Sequence, residues 1–162
     1  MASSKILVTF FSHSGNTKVI AKKIQQLTGG DMFEIKTIKS YPEDYYKTTE
    51  VAKEEKRQNV RPELANKLDD ISSYEVIFLG YPNWWGTMPM AVFTFLESYD
   101  FSGKTIVPFC THEGSGMGNS ERDIKKLCPN AEVLSGIAIR GSNVNRADKD
   151  LAGWLMRLGF IS

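Results

Sequence analysis

The sequence predicts an α/β fold, a three-layer α/β/α sandwich whose central sheet holds five parallel strands in the order 2-1-3-4-5. Three observations lead there. Four short apolar runs, at residues 5–11, 76–80, 105–110 and 133–139, have the composition of strands buried on both faces. Segments with the apolar spacing of helices separate them, and right-handed crossovers then leave few arrangements. A fifth stretch, residues 31–38, alternates instead: Phe33, Ile35 and Thr37 fall on one side, Met32, Glu34 and Lys36 on the other, which suits a half-exposed strand at the sheet edge.

Each element has its own signal. Residues 16–27 place Ile20, Ile24 and Leu27 on one helical stripe, and Thr28-Gly29-Gly30 stops the helix. Before residues 90–96, the Thr87 hydroxyl is expected to cap a helix with Pro89 near its first turn, and Val92, Phe93, Phe95 and Leu96 supply a wide buried face. Pro108 cannot donate a ladder hydrogen bond, so the fourth strand is expected to carry a bulge there. Ser120 and Asp123 have the spacing of a capping box opening a short helix with Ile124 and Leu127. Residues 145–158 form a last helix, with Leu151, Trp154, Leu155 and Leu158 toward the sheet. The segment 39–73 is dense in charge, and Tyr41, Tyr45, Tyr46 and Val51 are too sparse for a large core face. One or two largely solvated helices over the sheet edge are expected.

Composition narrows the function. A chain of 162 residues, 41% hydrophobic and 24% charged, without internal repeat or linker, reads as one domain, 1–162, with the extended charged segment at 39–73. Twenty Lys and Arg against nineteen Asp and Glu give a net charge of +1, which argues against a nucleic-acid partner. Two irregularly placed cysteines, Cys110 and Cys128, suit free thiols in a reducing compartment. No apolar run approaches the roughly 18 residues of a membrane span, and residues 1–4 lead straight into the first strand without a secretory signal. A cytoplasmic protein with no membrane partner is expected.

In such a sheet the ligand crevice opens at the carboxyl ends of the strands, where the chain switches direction between strands one and three. Three loops should meet there. Ser12-His13-Ser14-Gly15-Asn16-Thr17 has the chemistry of a phosphate cradle without lysine or arginine: hydroxyls, an amide, backbone N–H groups, a glycine and a helix N-terminus. The same hexapeptide also reads as an ordinary strand-to-helix turn, and it lacks the motifs of a nucleotide triphosphatase or a dinucleotide site. Pro82-Asn83-Trp84-Trp85-Gly86 offers one indole face to a flat aromatic ligand while the other indole packs inward, with neither assigned to either role. The third loop, Thr111-His112-Glu113-Gly114-Ser115-Gly116-Met117-Gly118, has three glycines and a serine whose backbone can approach a polar ring edge. His13 and His112 are expected to be exposed loop residues without a proton-relay role, and Cys110 a small buried residue without redox chemistry.

Together these residues carry a resemblance. Ser-His-Ser-Gly-Asn-Thr after an apolar first strand resembles the flavodoxin phosphate loop, Thr-x-Thr-Gly-Asn-Thr, and the other two loops are similar to the isoalloxazine loops of a flavodoxin-like branch. The resemblance covers nearly the whole chain apart from residues 39–73. It implies a flavodoxin-like fold and FMN as cofactor, with Ser12, Ser14, Asn16 and Thr17 holding phosphate and His13 and Gly15 in the same loop. It further implies that Pro82, Asn83, Trp84, Trp85 and Gly86 flank the ring and that Thr111, Glu113, Gly114, Ser115 and Gly116 contact its pyrimidine side. No metal and no catalytic side chain is expected, because the isoalloxazine carries the redox chemistry.

Two departures bear on function: the chain is near neutral where carrier flavodoxins are strongly acidic, and residues 39–73 are placed to cover a substrate site. The expected function is electron transfer between protein partners, by a monomer or homodimer. The alternative is an oxidoreductase passing electrons from NAD(P)H to a quinone, nitro compound or flavin. A phospho-receiver is disfavoured, because no acidic pair follows strand one and strand three ends in Gly80-Tyr81.

Overall fold

The computed structural model describes residues 5–162, so the expectation for residues 1–4 lies outside them. Parallel strands β1 (Ile6–Phe10), β2 (Asp31–Glu34), β3 (Val76–Pro82), β4 (Thr105–His112), β5 (Glu132–Val133) and β6 (Ile137–Arg140) form one sheet. Its order is β2-β1-β3-β4-β5, with β6 also pairing to β4. The expected order is therefore found. Alternation along the strands builds a core on each face. Leu7, Ile77, Leu79 and Ile106 pack with Val92 and Phe95 of α3 (Met90–Ser98) and Ile124 of α4 (Ser120–Leu127). Val8, Phe78, Val107 and Phe109 pack on the other face with Ile20 and Ile24 of α1 (Asn16–Thr28) and Trp154 and Leu155 of α5 (Asp148–Leu158).

The fifth strand departs from expectation and accommodates Pro108. Leu134 donates its N–H to Ile106 O at 3.0 Å, so Ile106 faces the fifth strand and, two residues on, so does Pro108. Opposite Pro108 that strand is broken into β5 and β6, and the missing N–H falls in the break. Gly136 lies across it; a Cβ there would come within 2.7 Å of Pro108 O. The irregularity thus sits in the neighbour of the proline strand, and β4 itself stays in register with β3 at Leu79↔Pro108.

Three helix starts also differ. Thr87 does not cap α3; Pro89 occupies the N-cap, and the Thr87 hydroxyl donates to Asp123 Oδ2. Ser120 does not cap α4 either: it is buried and donates to Met117 O at 2.6 Å, while Asn119 is the N-cap without a side-chain bond. Before α5, residues Gly141–Arg146 wind as a 3₁₀ helix, so the α-helix proper begins at Asp148. Lys23 ties α1 to its start through Asp148 at 2.7 Å.

The edge strand β2 is shorter than its alternating pattern. After Glu34 the chain turns to pair with the returning segment: Ile38 N–H donates to Glu63 O and Ala65 N–H to Lys36 O, at 3.0 and 2.7 Å. This return covers part of an edge that would otherwise offer free backbone groups. Between them lies α2 (Tyr45–Arg57), capped by Asp44, whose side chain accepts from Lys47 N at 3.0 Å. Its charged outer face is solvated, as its composition requires, with Thr48 and Ala52 buried beneath.

Thr9 of β1 is fully buried, and its hydroxyl has no hydrogen-bond partner among the described residues. Burying an unpaired hydroxyl costs about 1–3 kcal/mol. Thr9→Val is therefore expected to stabilise the protein by about 1 kcal/mol, seen as a higher urea midpoint at unchanged m-value.

Candidate functional site

The connections after β1 and β3 leave the sheet in opposite directions. β1 passes into α1 on the Phe78 face, and β3 passes toward α3 on the Leu79 face. The two strands part above the pair Phe10↔Gly80, where Phe11 N–H still donates to Gly80 O at 3.0 Å. A mouth opens there, at the carboxyl ends of the strands.

The first wall is the loop into α1. Gly15 is the N-cap with φ 99°, in the left-handed region, and a Cβ at this position would meet nothing within 4 Å. Space above the helix N-terminus is thereby kept open. Ser14 Oγ accepts from Asn16 N at 3.4 Å and Ser12 Oγ from Lys18 N at 3.3 Å, both long bonds, and no acidic residue lies in the first turn. Thr17 points elsewhere: it is buried, and its hydroxyl shares a 2.8 Å hydrogen bond with the buried Thr111. That pair fastens the first loop to the end of β4. His13 Nε2 lies 2.7 Å from Pro42 O, so the ring donates there and ties this loop to the segment before α2.

The second wall is a two-residue hairpin. Trp84 N–H donates to Thr87 O at 2.9 Å and Thr87 N–H to Trp84 O at 3.4 Å, while Trp85 and Gly86 between them have φ 58° and 85°. Two positive φ values in succession define a type I′ turn, which glycine and asparagine enter easily and tryptophan does not. Contacts from α2 compensate. Trp85 Nε1 donates to Thr49 O at 2.9 Å, Lys53 Nζ lies 5.5 Å from the indole centroid, and Lys56 Nζ donates to Trp85 O. Trp84 turns inward, edge-to-face with Tyr41, Phe11 and His13 at 5.0, 5.5 and 5.9 Å between centroids. Trp85 is the outward ring, with 45% of its surface exposed.

The third wall is the loop after β4, held to the hairpin by one side chain. Asn83 Nδ2 donates to Gly116 O at 2.7 Å, and Asn83 Oδ1 accepts from Gly86 N at 2.9 Å. At Gly118, a Cβ would fall 2.3 Å from Gly86 O, so only glycine permits this approach of the two loops. Glu113, Gly114 and Ser115 are exposed, and Pro82 is half-buried at the end of β3. A Cβ on Gly141 would lie 2.4 Å from Glu113 Oε1 and 2.7 Å from Asn16 Nδ2, which places the first and third loops side by side at the end of β6. Cys110 is buried beneath, and burial pushes its thiol up to about 12, as a structural cysteine requires.

The structure thus brings Ser12, Ser14, Gly15 and Asn16 to one side of the mouth and Trp85, Gly86 and residues 113–116 to the other. It turns Thr17, Thr111, Trp84 and the Asn83 amide to fastening the walls. Sequence reasoning offered residues 39–73 as a cover for a substrate site but named none of the residues that touch the mouth: Tyr41, Pro42, Thr49, Lys53 and Lys56. Their charge pattern is that of any wet helix and does not single out these positions. Gly141 and Arg140 were also missed; a glycine directly after the last strand was the available sign. Among the described residues there is no cluster of three metal-ligating side chains and no helix long and apolar enough to cross a membrane.

Removing one hydroxyl of the Thr17–Thr111 pair leaves its partner unpaired and buried. Thr17→Val and Thr111→Val should each destabilise by about 1–2 kcal/mol, and the double variant by clearly less than their sum in a double-mutant cycle.

The chain has relatives among known proteins. The family described as Flavodoxin matches residues 5–158. Flavodoxin 1 of Shigella flexneri is 26% identical over 152 residues, spanning 91% of this chain and 68% of that protein. A candidate flavoprotein from Bacteroides eggerthii is 32% identical, with a TM-score of 0.78 over 93% of this chain and 99% of that one. A flavoprotein from Lactobacillus acidophilus, solved in complex with FMN, shares the fold at a TM-score of 0.75 and 24% identity, over 89% of this chain and 98% of that one. With a family match over almost its entire length and the sheet order just described, the chain belongs to the flavodoxin family.

Proposed function

We propose that this protein binds FMN at the mouth between β1 and β3 and carries electrons between protein partners. One observation supports this reading above others: a helix N-terminus kept open by Gly15 and edged by the Ser12 and Ser14 hydroxyls stands beside a hairpin that holds Trp85 outward. The donor set fits a phosphate. It consists of backbone N–H groups, hydroxyls and an amide at the positive end of α1, with no carboxylate in its first turn. The hairpin and the glycine-rich loop fit a planar ring with one apolar and one polar edge. Flavodoxin 1 of Shigella flexneri and the FMN complex from Lactobacillus acidophilus are relatives of the same kind.

FMN, when bound, supplies the electron chemistry. The protein's own share is to hold and tune. Ser12 and Ser14 accept from Lys18 and Asn16 amides over long bonds, which a phosphate oxygen can replace with stronger charge-assisted ones. Thr17–Thr111 and Asn83 fix the spacing of the walls. Lys53 and Lys56 bring positive charge to the Trp85 side, and Glu113 brings a carboxylate to the other. A tenfold preference for one oxidation state over its one-electron partner moves a potential by about 59 mV.

A second reading, an NAD(P)H-dependent oxidoreductase, is favoured by α2, which reaches over the hairpin as a cover for a second substrate would.

Two experiments test these readings. Replacing Ser12 and Ser14 together by alanine should weaken FMN roughly tenfold or more, at about 1.5–3 kcal/mol per hydrogen bond to a charged group, and leave riboflavin affinity unchanged; equal loss for both ligands would move the phosphate elsewhere. Steady-state NAD(P)H oxidation by the FMN-loaded protein with a quinone and no reductase should be slow, and rapid turnover would select the oxidoreductase reading.

A further inference from the structure

His112 ends β4, in register with Arg140 of β6. Its half-buried ring holds the next turn of the chain, because Nδ1 accepts a hydrogen bond from Gly114 N–H at 2.9 Å. Gly114 has φ 138°, a backbone conformation that other residues rarely adopt, so the turn depends on what holds it. On its other side Arg140 Nη1 donates to Glu113 O at 3.4 Å, and Arg140 Nη2 would lie 3.5 Å from a Cβ on Gly114. An imidazole that accepts at Nδ1 carries its proton on Nε2 and is neutral. A second proton would sit on Nδ1, facing the Gly114 N–H, and two donors cannot share that bond.

We propose that His112 is a positioning residue that sets the shape of the third loop, and that protonating it opens the Gly114 turn and loosens the hold on the flavin. The release half rests on the FMN reading above. Burial of the ring, and then the Arg140 guanidinium, pull its pKa below the ordinary histidine value, while the Glu113 carboxylate pushes the other way. A group whose native pKa is lowered in this way keeps the bond intact at neutral pH and loses it as pH falls from the ordinary histidine range through the lowered value. By linkage, a ligand that requires the closed turn binds less tightly over that same window.

The apoprotein gives the first measurement. In ¹⁵N NMR, Nδ1 of His112 should be unprotonated at neutral pH, and the Gly114 amide should shift along the same acid titration as the imidazole. Riboflavin gives the second, since it lacks the phosphate whose own ionisation near pH 6 would interfere. Its affinity should fall about tenfold per pH unit below the native His112 pKa. In His112→Asn the side-chain oxygen can accept from the amide two residues on, as in an Asx turn, without titrating; affinity at neutral pH should be kept and the acid loss abolished. His112→Ala should bind weakly at every pH. A Gly114 amide that ignores the His112 titration, or a His112→Asn profile identical to wild type, overturns the proposal. Binding of neither flavin overturns the FMN reading and the release half with it, and the Gly114 titration still decides the positioning half.

Discussion

Opposed crossovers on either side of β1 and β3 are the constraint on which the rest of this molecule depends. Parallel strands force the chain to cross over a face of the sheet before it returns. Here α1 covers one face after β1, and α3 covers the other after β3. The sheet is hydrogen-bonded up to Phe10↔Gly80 and parts above it, leaving backbone ends, a helix N-terminus and two loops around a common space. Every polar group assigned to the mouth is there because of this divergence.

A mouth made of loops would be loose unless something fixed its width. Two small hydrogen-bonded devices do so: the buried Thr17–Thr111 pair joins the first wall to β4, and Asn83 joins the second wall to the third. The threonine pair is buried and the Asn83 bonds are half-buried, and low dielectric there strengthens a satisfied bond and makes a broken one costly. Glycines at 118 and 141 let the walls close against each other, since a Cβ at either would meet backbone oxygen or site side chains at 2.3–2.4 Å. The walls are held by neutral hydrogen bonds, buried at Thr17–Thr111 and half-buried at Asn83, beneath an exposed rim.

The segment around α2 adds a further layer. Trp85 sits in a left-handed conformation that costs a bulky residue about 1–3 kcal/mol, and its backbone oxygen, ring nitrogen and ring face are all contacted from α2. His13 is bound to Pro42, and Tyr41 packs on Trp84. Tyr41 also donates to Glu55 of α2 at 2.6 Å; burial, and then that bond, raise the tyrosine pKa and keep it the donor. One segment thus steadies both the first wall, through His13, and the hairpin wall, through Trp84 and Trp85, and couples them.

Residue order alone determined the layered parallel sheet, because strands buried on both faces need continuous apolar runs and an edge strand needs alternation, patterns carried by residues 76–80 and 31–38. It also marked the three loops that the sheet order brings to one end, since glycines, hydroxyls and prolines between a strand and a helix signal a turn. Tertiary structure decided what local pattern does not encode. Pro108 left β4 regular because its neighbour breaks opposite it, and Thr87 and Ser120, both good caps by type, were drawn to Asp123 and to the Tyr81 hydroxyl across the fold. Which tryptophan faces outward, which threonine faces inward and what the charged segment rests on depend on partners 29–94 residues away. Propensity and periodicity act over a few residues, and these choices are made by contacts that exist only once the chain has closed.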